Sequence, residues 1–81
     1  MLKREGIFIE TKMTRSSLTQ REVAEQLILD RDLYRGHPDC KMLLCFVFDP
    51  THMLDNPEGL EHDLTNLEGP LPTVVIVSPQ E

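Results

Sequence analysis

Hydrophobic and polar positions divide this chain into three strand-like stretches separated by two segments of helical periodicity. Ile7-Phe8-Ile9-Glu10-Thr11-Lys12-Met13 is β-branched and aromatic with no helix start or stop signal, so it predicts a strand. Lys3-Arg4-Glu5-Gly6, just before it, has turn character, with Gly6 free to take a positive φ. Met1-Leu2 would then close a preceding strand, so that the chain begins in mid-hairpin.

Thr19-Gln20-Arg21-Glu22 fits a capping box, Thr19 as N-cap and Glu22 as N3, and Leu18 with Val23 occupy the positions of a hydrophobic staple. Val23, Ala24, Leu27, Ile28, Leu33 and Tyr34 make a broad apolar face at helical spacing. Gly36 and Pro38 stand where a left-handed C′ residue and a breaker are expected. Met42 to Phe48 is a continuous apolar run, which suits a strand covered on both faces, and Asp49-Pro50 ends it. A second, shorter helix is predicted from Asn56 as N-cap and Pro57 as N1, with Leu60, Leu64 and Leu67 on one side and a stop at Gly69-Pro70. Thr73 to Val77 is the last strand, closed by Ser78-Pro79.

The order strand-helix-strand-helix-strand predicts an α/β fold. Parallel strands joined through a helix need a right-handed crossover, which gives a small, mostly parallel sheet with packed helices. Three strands alone leave a long edge, so earlier strands or a partner chain should cover it, and self-association is expected.

At 81 residues the chain has room for one domain, taken as residues 1–81 and as the later part of a larger unit. The apolar run at 42–48 is far short of the roughly 20 residues that cross a bilayer, and no apolar stretch follows the N-terminal charges as in a signal peptide. No membrane association and a cytoplasmic location are expected. The net charge of −6 argues against a surface that embraces nucleic acid all round. Seven of the eight basic residues, however, lie in positions 1 to 35, so a DNA-facing surface should come from the first third.

The informative chemistry is Glu10-Thr11-Lys12. Side chains alternate along a strand, so Glu10 and Lys12 should share one face while Thr11 points away. A carboxylate can hold Mg²⁺ through oxygen, the Thr11 carbonyl lies within reach of the same ion, and a nearby lysine can orient an attacking water or offset phosphate charge. An isolated E-x-K is otherwise an ordinary strand-face ion pair.

Placed on a strand, after a tight turn and before a capped helix leading to a buried strand, this E-x-K resembles that of the PD-(D/E)XK nuclease superfamily, whose core runs α-β-β-β-α-β. The stretches GIFIETKMTR, AEQLILDRDLYRGHPDC and LLCFVFDPTHMLDNPEGLEHDL resemble the C-terminal part of bacterial restriction-endonuclease-like domains, over nearly the whole chain. The resemblance implies a β-α-β-α-β portion of a mixed sheet with flanking helices, and Mg²⁺-dependent hydrolysis of DNA by the intact domain. It also implies Glu10 as a metal ligand and Lys12 as the catalytic lysine. Gln26 lies on the following helix, where many superfamily members place a polar residue that reaches the site. Asp30 and Tyr34 share its face at i+4 and i+8. Some exonuclease-like members carry a Gln-x-x-x-Tyr pair there, but this chain has Asp30 at the Tyr position. Arg15 and Arg21 are candidates for phosphate contacts.

One element of the pattern is missing. The acid of the "PD" element belongs on the strand before the Lys3–Gly6 turn, upstream of this sequence. Asp49 is a possible substitute, although it reads more simply as a strand terminator. One carboxylate and a lysine bind Mg²⁺ poorly, so the chain as given is expected to be an inefficient nuclease. The alternative is a non-catalytic α/β module that pairs through its sheet edge. His37, Cys40, Cys45 and His52 match no common zinc spacing, and no glycine-rich phosphate loop follows a strand.

Overall fold

The computed structural model describes residues 2–4, 6–15 and 17–79, the first three by their backbone alone. Its elements run β1 (Leu2–Arg4), β2 (Ile7–Met13), α1 (Gln20–Arg35), β3 (Met42–Phe48), α2 (Pro57–Leu64) and β4 (Thr73–Ser78). The sheet order is β1-β2-β3-β4, with β1 antiparallel to β2 and the other three strands parallel. This is the α/β arrangement the pattern predicts, with one antiparallel strand added at the edge. That strand already includes Lys3 and Arg4, so the turn is tighter than expected and is carried by Gly6 at φ 86°. The parts of the hairpin expected at Met1 and Glu5 lie outside the described residues.

Register fixes the two faces of the sheet. Phe8, Leu43 and Thr73 form one cross-strand row, Glu10, Cys45 and Val75 the next, and Lys12, Val47 and Val77 the third. All but the two charged residues are buried and face α1 and α2, which pack on this side and on each other through Val23, Leu27, Leu60 and Leu64. The other face carries Ile7, Ile9, Met13, Met42, Leu44, Phe46, Phe48, Val74 and Ile76, with Phe48 51% exposed. β3 is therefore covered on one face only, not on both as its unbroken apolar run suggested, because both crossovers pass over the same side.

α1 starts as expected. The Thr19 hydroxyl accepts from Glu22 N and the Glu22 carboxylate accepts from Thr19 N, the two halves of the capping box. Its end differs: Gly36 keeps a right-handed φ of −81°, so no left-handed cap forms. Leu33, expected in the apolar face, is 72% exposed, since the helix turns Leu27 and Val23 inward and Leu33 out. α2 begins at Asn56 and Pro57 as predicted but stops at Leu64, short of Gly69-Pro70. The Asn66 backbone pairs with Thr73 instead, which leaves Leu67 64% exposed.

Asp49 ties the C-terminal ends of the parallel strands together. Its carboxylate is 1% exposed and accepts from the Thr14 hydroxyl at 2.7 Å and from the Met53 and Leu54 amides at 2.8 and 3.1 Å. Its own N–H donates to Ser78 O at 2.9 Å. Burial pushes the carboxyl pKa up, but the Thr14 hydroxyl and the two amides outweigh it and the net shift is downward. Both carboxylate oxygens are thus engaged in ending β3 and shaping the next loop, which is the terminator role and not that of a substitute metal ligand.

Asp49→Asn replaces an acceptor oxygen by a donor group and should cost about 1.5–3 kcal/mol, the range for hydrogen bonds to a charged group. Because the folded-state pKa is lowered, the carboxylate's contribution is full above its ordinary value of 3.8 and is lost as pH falls through the lowered value. Urea unfolding of parent and variant should show a stability gap at neutral pH that narrows in acid.

Candidate active site on the helix-facing side of strand β2

Phe8, Glu10 and Lys12 project from one side of β2, beneath α1, as the alternation requires. Phe8 is buried, while Glu10 and Lys12 are half-buried at the border where β2 emerges from under the helix. A strand-face ion pair between Glu10 and Lys12 would be the simplest arrangement. Among the described residues no such pair forms, and each side chain reaches up to a different residue of α1.

The Tyr34 hydroxyl donates to Glu10 Oε2 at 2.7 Å. The Tyr34 ring also meets Phe8 edge-on, with centroids 5.7 Å apart, so the residue two positions before Glu10 aims the hydroxyl at it. Hydrogen bonding to Glu10 is the main cause that pushes the phenol pKa from 10.0 up to about 12, with burial and the charges of Glu10 and Asp30 adding to it. Glu10 Oε1 accepts no hydrogen bond from the described residues.

One helical turn earlier, Asp30 Oδ2 lies 2.6 Å from Lys12 Nζ. That oxygen is shielded from solvent and the ammonium stands out of line for a hydrogen bond, so the contact is an ion pair in which Lys12 supplies the compensating charge. Two carboxylates against one ammonium leave this cluster at −1. The Cys45 thiol, beside Glu10 in register, is pushed up to about 11 by burial first and then by the charges of Asp30 and Glu10, so it stays protonated.

Thr11 lies on the opposite face, where its side chain is exposed. Gly6 O accepts from Met42 N and Thr14 N donates to Phe48 O, so the even-numbered residues of β2 bond to β3 and the odd-numbered ones address the β1 side. β1 pairs only as far as Leu2 with Ile9. The Thr11 carbonyl therefore points to a stretch of β2 edge that no described strand covers. Gln26 is half-buried one turn before Asp30 on the same helix face, and no hydrogen bond joins it to Glu10 or Lys12. Arg15 is exposed just past β2, and Arg21 is held in an exposed pair with Glu25 at 3.1 Å. Two clefts of the described surface, a groove between α1 and α2 and a hollow beside Arg31 and Arg35, are not lined by Glu10 or Lys12.

A family model of the DpnII-MboI restriction endonucleases matches residues 1–80. The chain belongs to this family. It has no match among curated proteins or among solved structures. Membership in the DpnII-MboI family points to nuclease function and DNA binding. No helix of the described residues is long and apolar enough to cross a membrane.

Sequence reasoning placed Asp30 and Tyr34 on the right helix face but assigned them nothing. The i, i+2 charges of β2 and the i, i+4 polar pair of α1 were both visible, and only the phase of the helix over the strand shows which meets which.

Tyr34 is the chain's one tyrosine and there is no tryptophan, so its ionisation can be followed by phenolate absorbance. The midpoint is expected at about 12 in the parent and, in Glu10→Gln, closer to the ordinary 10.0. A raised folded-state pKa means that the contact's stabilisation is complete below pH 10.0 and disappears as pH rises through about 12. A parent midpoint at the ordinary value would contradict the contact.

Proposed function

We propose that this chain carries the Glu10 and Lys12 part of a Mg²⁺-dependent site for hydrolysis of DNA phosphodiesters. The observation that supports it best is that Glu10 and Lys12, in a chain of a restriction endonuclease family, share one face of β2 and are held apart by separate partners on α1. A surface ion pair would have collapsed on itself.

The donor set suits a hard cation. Glu10 offers an oxygen that accepts no hydrogen bond, and the Thr11 carbonyl opens on the uncovered edge of β2, both oxygen ligands of the kind Mg²⁺ prefers. When bound, the ion would lower the pKa of a coordinated water and offset charge on the scissile phosphate. Glu10 binds, with Tyr34 fixing its carboxylate rotation. Lys12, part-buried and charged, orients the attacking water or receives phosphate charge. Gln26 stands on the same helix face to contact the substrate side of the site.

Two protein oxygens are fewer than a well-fixed Mg²⁺ takes, so a further acid is needed on the β1 side of β2. Leu2 opposite Ile9 sets the register, and a β1 continued upstream would bring a residue opposite Lys12 on the covered face. Residues 1–81 with Mg²⁺ should accordingly cut DNA slowly or not at all, while a chain extended upstream by that strand should cut. In the extended chain Lys12→Ala should lose most activity, and Glu10→Ala should in addition weaken Mg²⁺ binding. An inert extended chain, or variants that cut like the parent, would refute the nuclease reading.

The uncovered sheet face favours a second role, association. Nine apolar side chains from three strands form one patch on the face of the sheet turned away from the helices. We propose that another protein segment or a second copy covers it, since such patches are uncommon on monomers. Sedimentation velocity should show concentration-dependent association, and Phe48→Lys should reduce it; a stable monomer at high concentration argues the other way.

A further inference from the structure

Glu10 and Lys12 stand two residues apart on one strand face, close enough for a lysine chain to reach the carboxylate. The ammonium is instead 2.6 Å from Asp30, and Glu10 takes the Tyr34 hydroxyl. Asp30 is the carboxylate that decides this outcome: its Oδ2 is shielded from solvent and its charge is balanced by Lys12. Without that charge the ammonium's nearest strong anion on this face is Glu10.

We propose that Asp30 is a positioning residue that keeps the Lys12 ammonium off Glu10 and so preserves the Glu10 carboxylate for a divalent cation. This deepens the proposed nuclease site and rests on that reading for the cation. An ammonium paired with Glu10 would cancel the charge that attracts the ion and occupy the oxygen that binds it. Held by Asp30, the same lysine stays close without competing. The two restraints come from one helix, one turn apart, so the docking of α1 on β2 sets both side chains together.

The test uses the folded 81-residue chain and Mn²⁺ as the probe, by calorimetry, with circular dichroism confirming the fold of each variant. Asp30→Asn should weaken Mn²⁺ binding about fivefold, which corresponds to a part-buried ion pair near the upper end of the exposed range. Asp30→Glu should bind nearly as the parent does. Adding Lys12→Ala to Asp30→Asn should bring affinity back to that of Lys12→Ala alone, because no ammonium is left to compete. A folded Asp30→Asn that binds like the parent, or a double variant that stays weak, overturns the proposal and leaves Asp30 a structural tether.

A second measurement separates this from failure of the metal reading. Couplings in nuclear magnetic resonance between the Lys12 ammonium and carboxyl carbons should report Asp30 in the parent and Glu10 in Asp30→Asn, with no metal present. If the parent binds no Mn²⁺ but the ammonium moves to Glu10, the positioning role of Asp30 stands, and the cation reading is decided by the chain extended upstream. If the ammonium in Asp30→Asn contacts neither carboxylate, the positioning role fails whatever the metal does.

Discussion

Two charges on the covered face of a sheet are the constraint from which the rest of this structure follows. Glu10 and Lys12 project toward α1 in the same rows as Cys45, Val47, Val75 and Val77, which are buried. Charges in such a place need partners, since removing them from water without compensation costs several kcal/mol each by the usual estimate. The helix that crosses above must therefore carry polar groups toward β2 and apolar ones toward β3. α1 does this along one face, with Val23 and Leu27 in its first half and Asp30 and Tyr34 in its second half.

Precision at this site comes from groups outside the charged pair. Phe8 and Glu10 contact the same Tyr34 residue, one through its ring and one through its hydroxyl. Asp49 binds the loop that begins α2's approach and, through Thr14, the end of β2 itself. Strand β2 is thus held by Thr14 at one end and by the Gly6 turn, whose carbonyl accepts from Lys41 and Met42, at the other. Between those anchors the register of β2 on β3 cannot slip by a residue without turning Glu10 and Lys12 to the wrong face.

Much of this was legible in the sequence because the signals are local. The capping box at Thr19 and Glu22, the Asn56-Pro57 helix start and the turn glycine at Gly6 each act over four residues or fewer. The facing of Glu10 and Lys12 follows from strand alternation alone. What was misread depends on distant partners. Leu67 looked helical by spacing, yet the Asn66 backbone found Thr73 and the helix ended. The run 42–48 reads the same whether one or two layers cover it, and here both helices lie on one side. Asp30 was set aside as a departure from a familiar spacing, although its value lies in the charge opposite it on another element.

The two faces of the sheet carry different chemistry, and one register separates them. Odd positions of β2 with even positions of β3 and β4 make the apolar face, and the complementary set makes the face with the charged pair. Association through the first would leave Glu10, Lys12, Asp30 and Tyr34 untouched, because none of them lies on it. Thr11 is the residue common to both, its side chain on the apolar face and its carbonyl at the edge of β2 that no described strand covers. A strand added along that edge would stand beside the charged pair. Completing the sheet and completing the proposed site are then one structural event, and a segment that covers only the apolar face does not accomplish it.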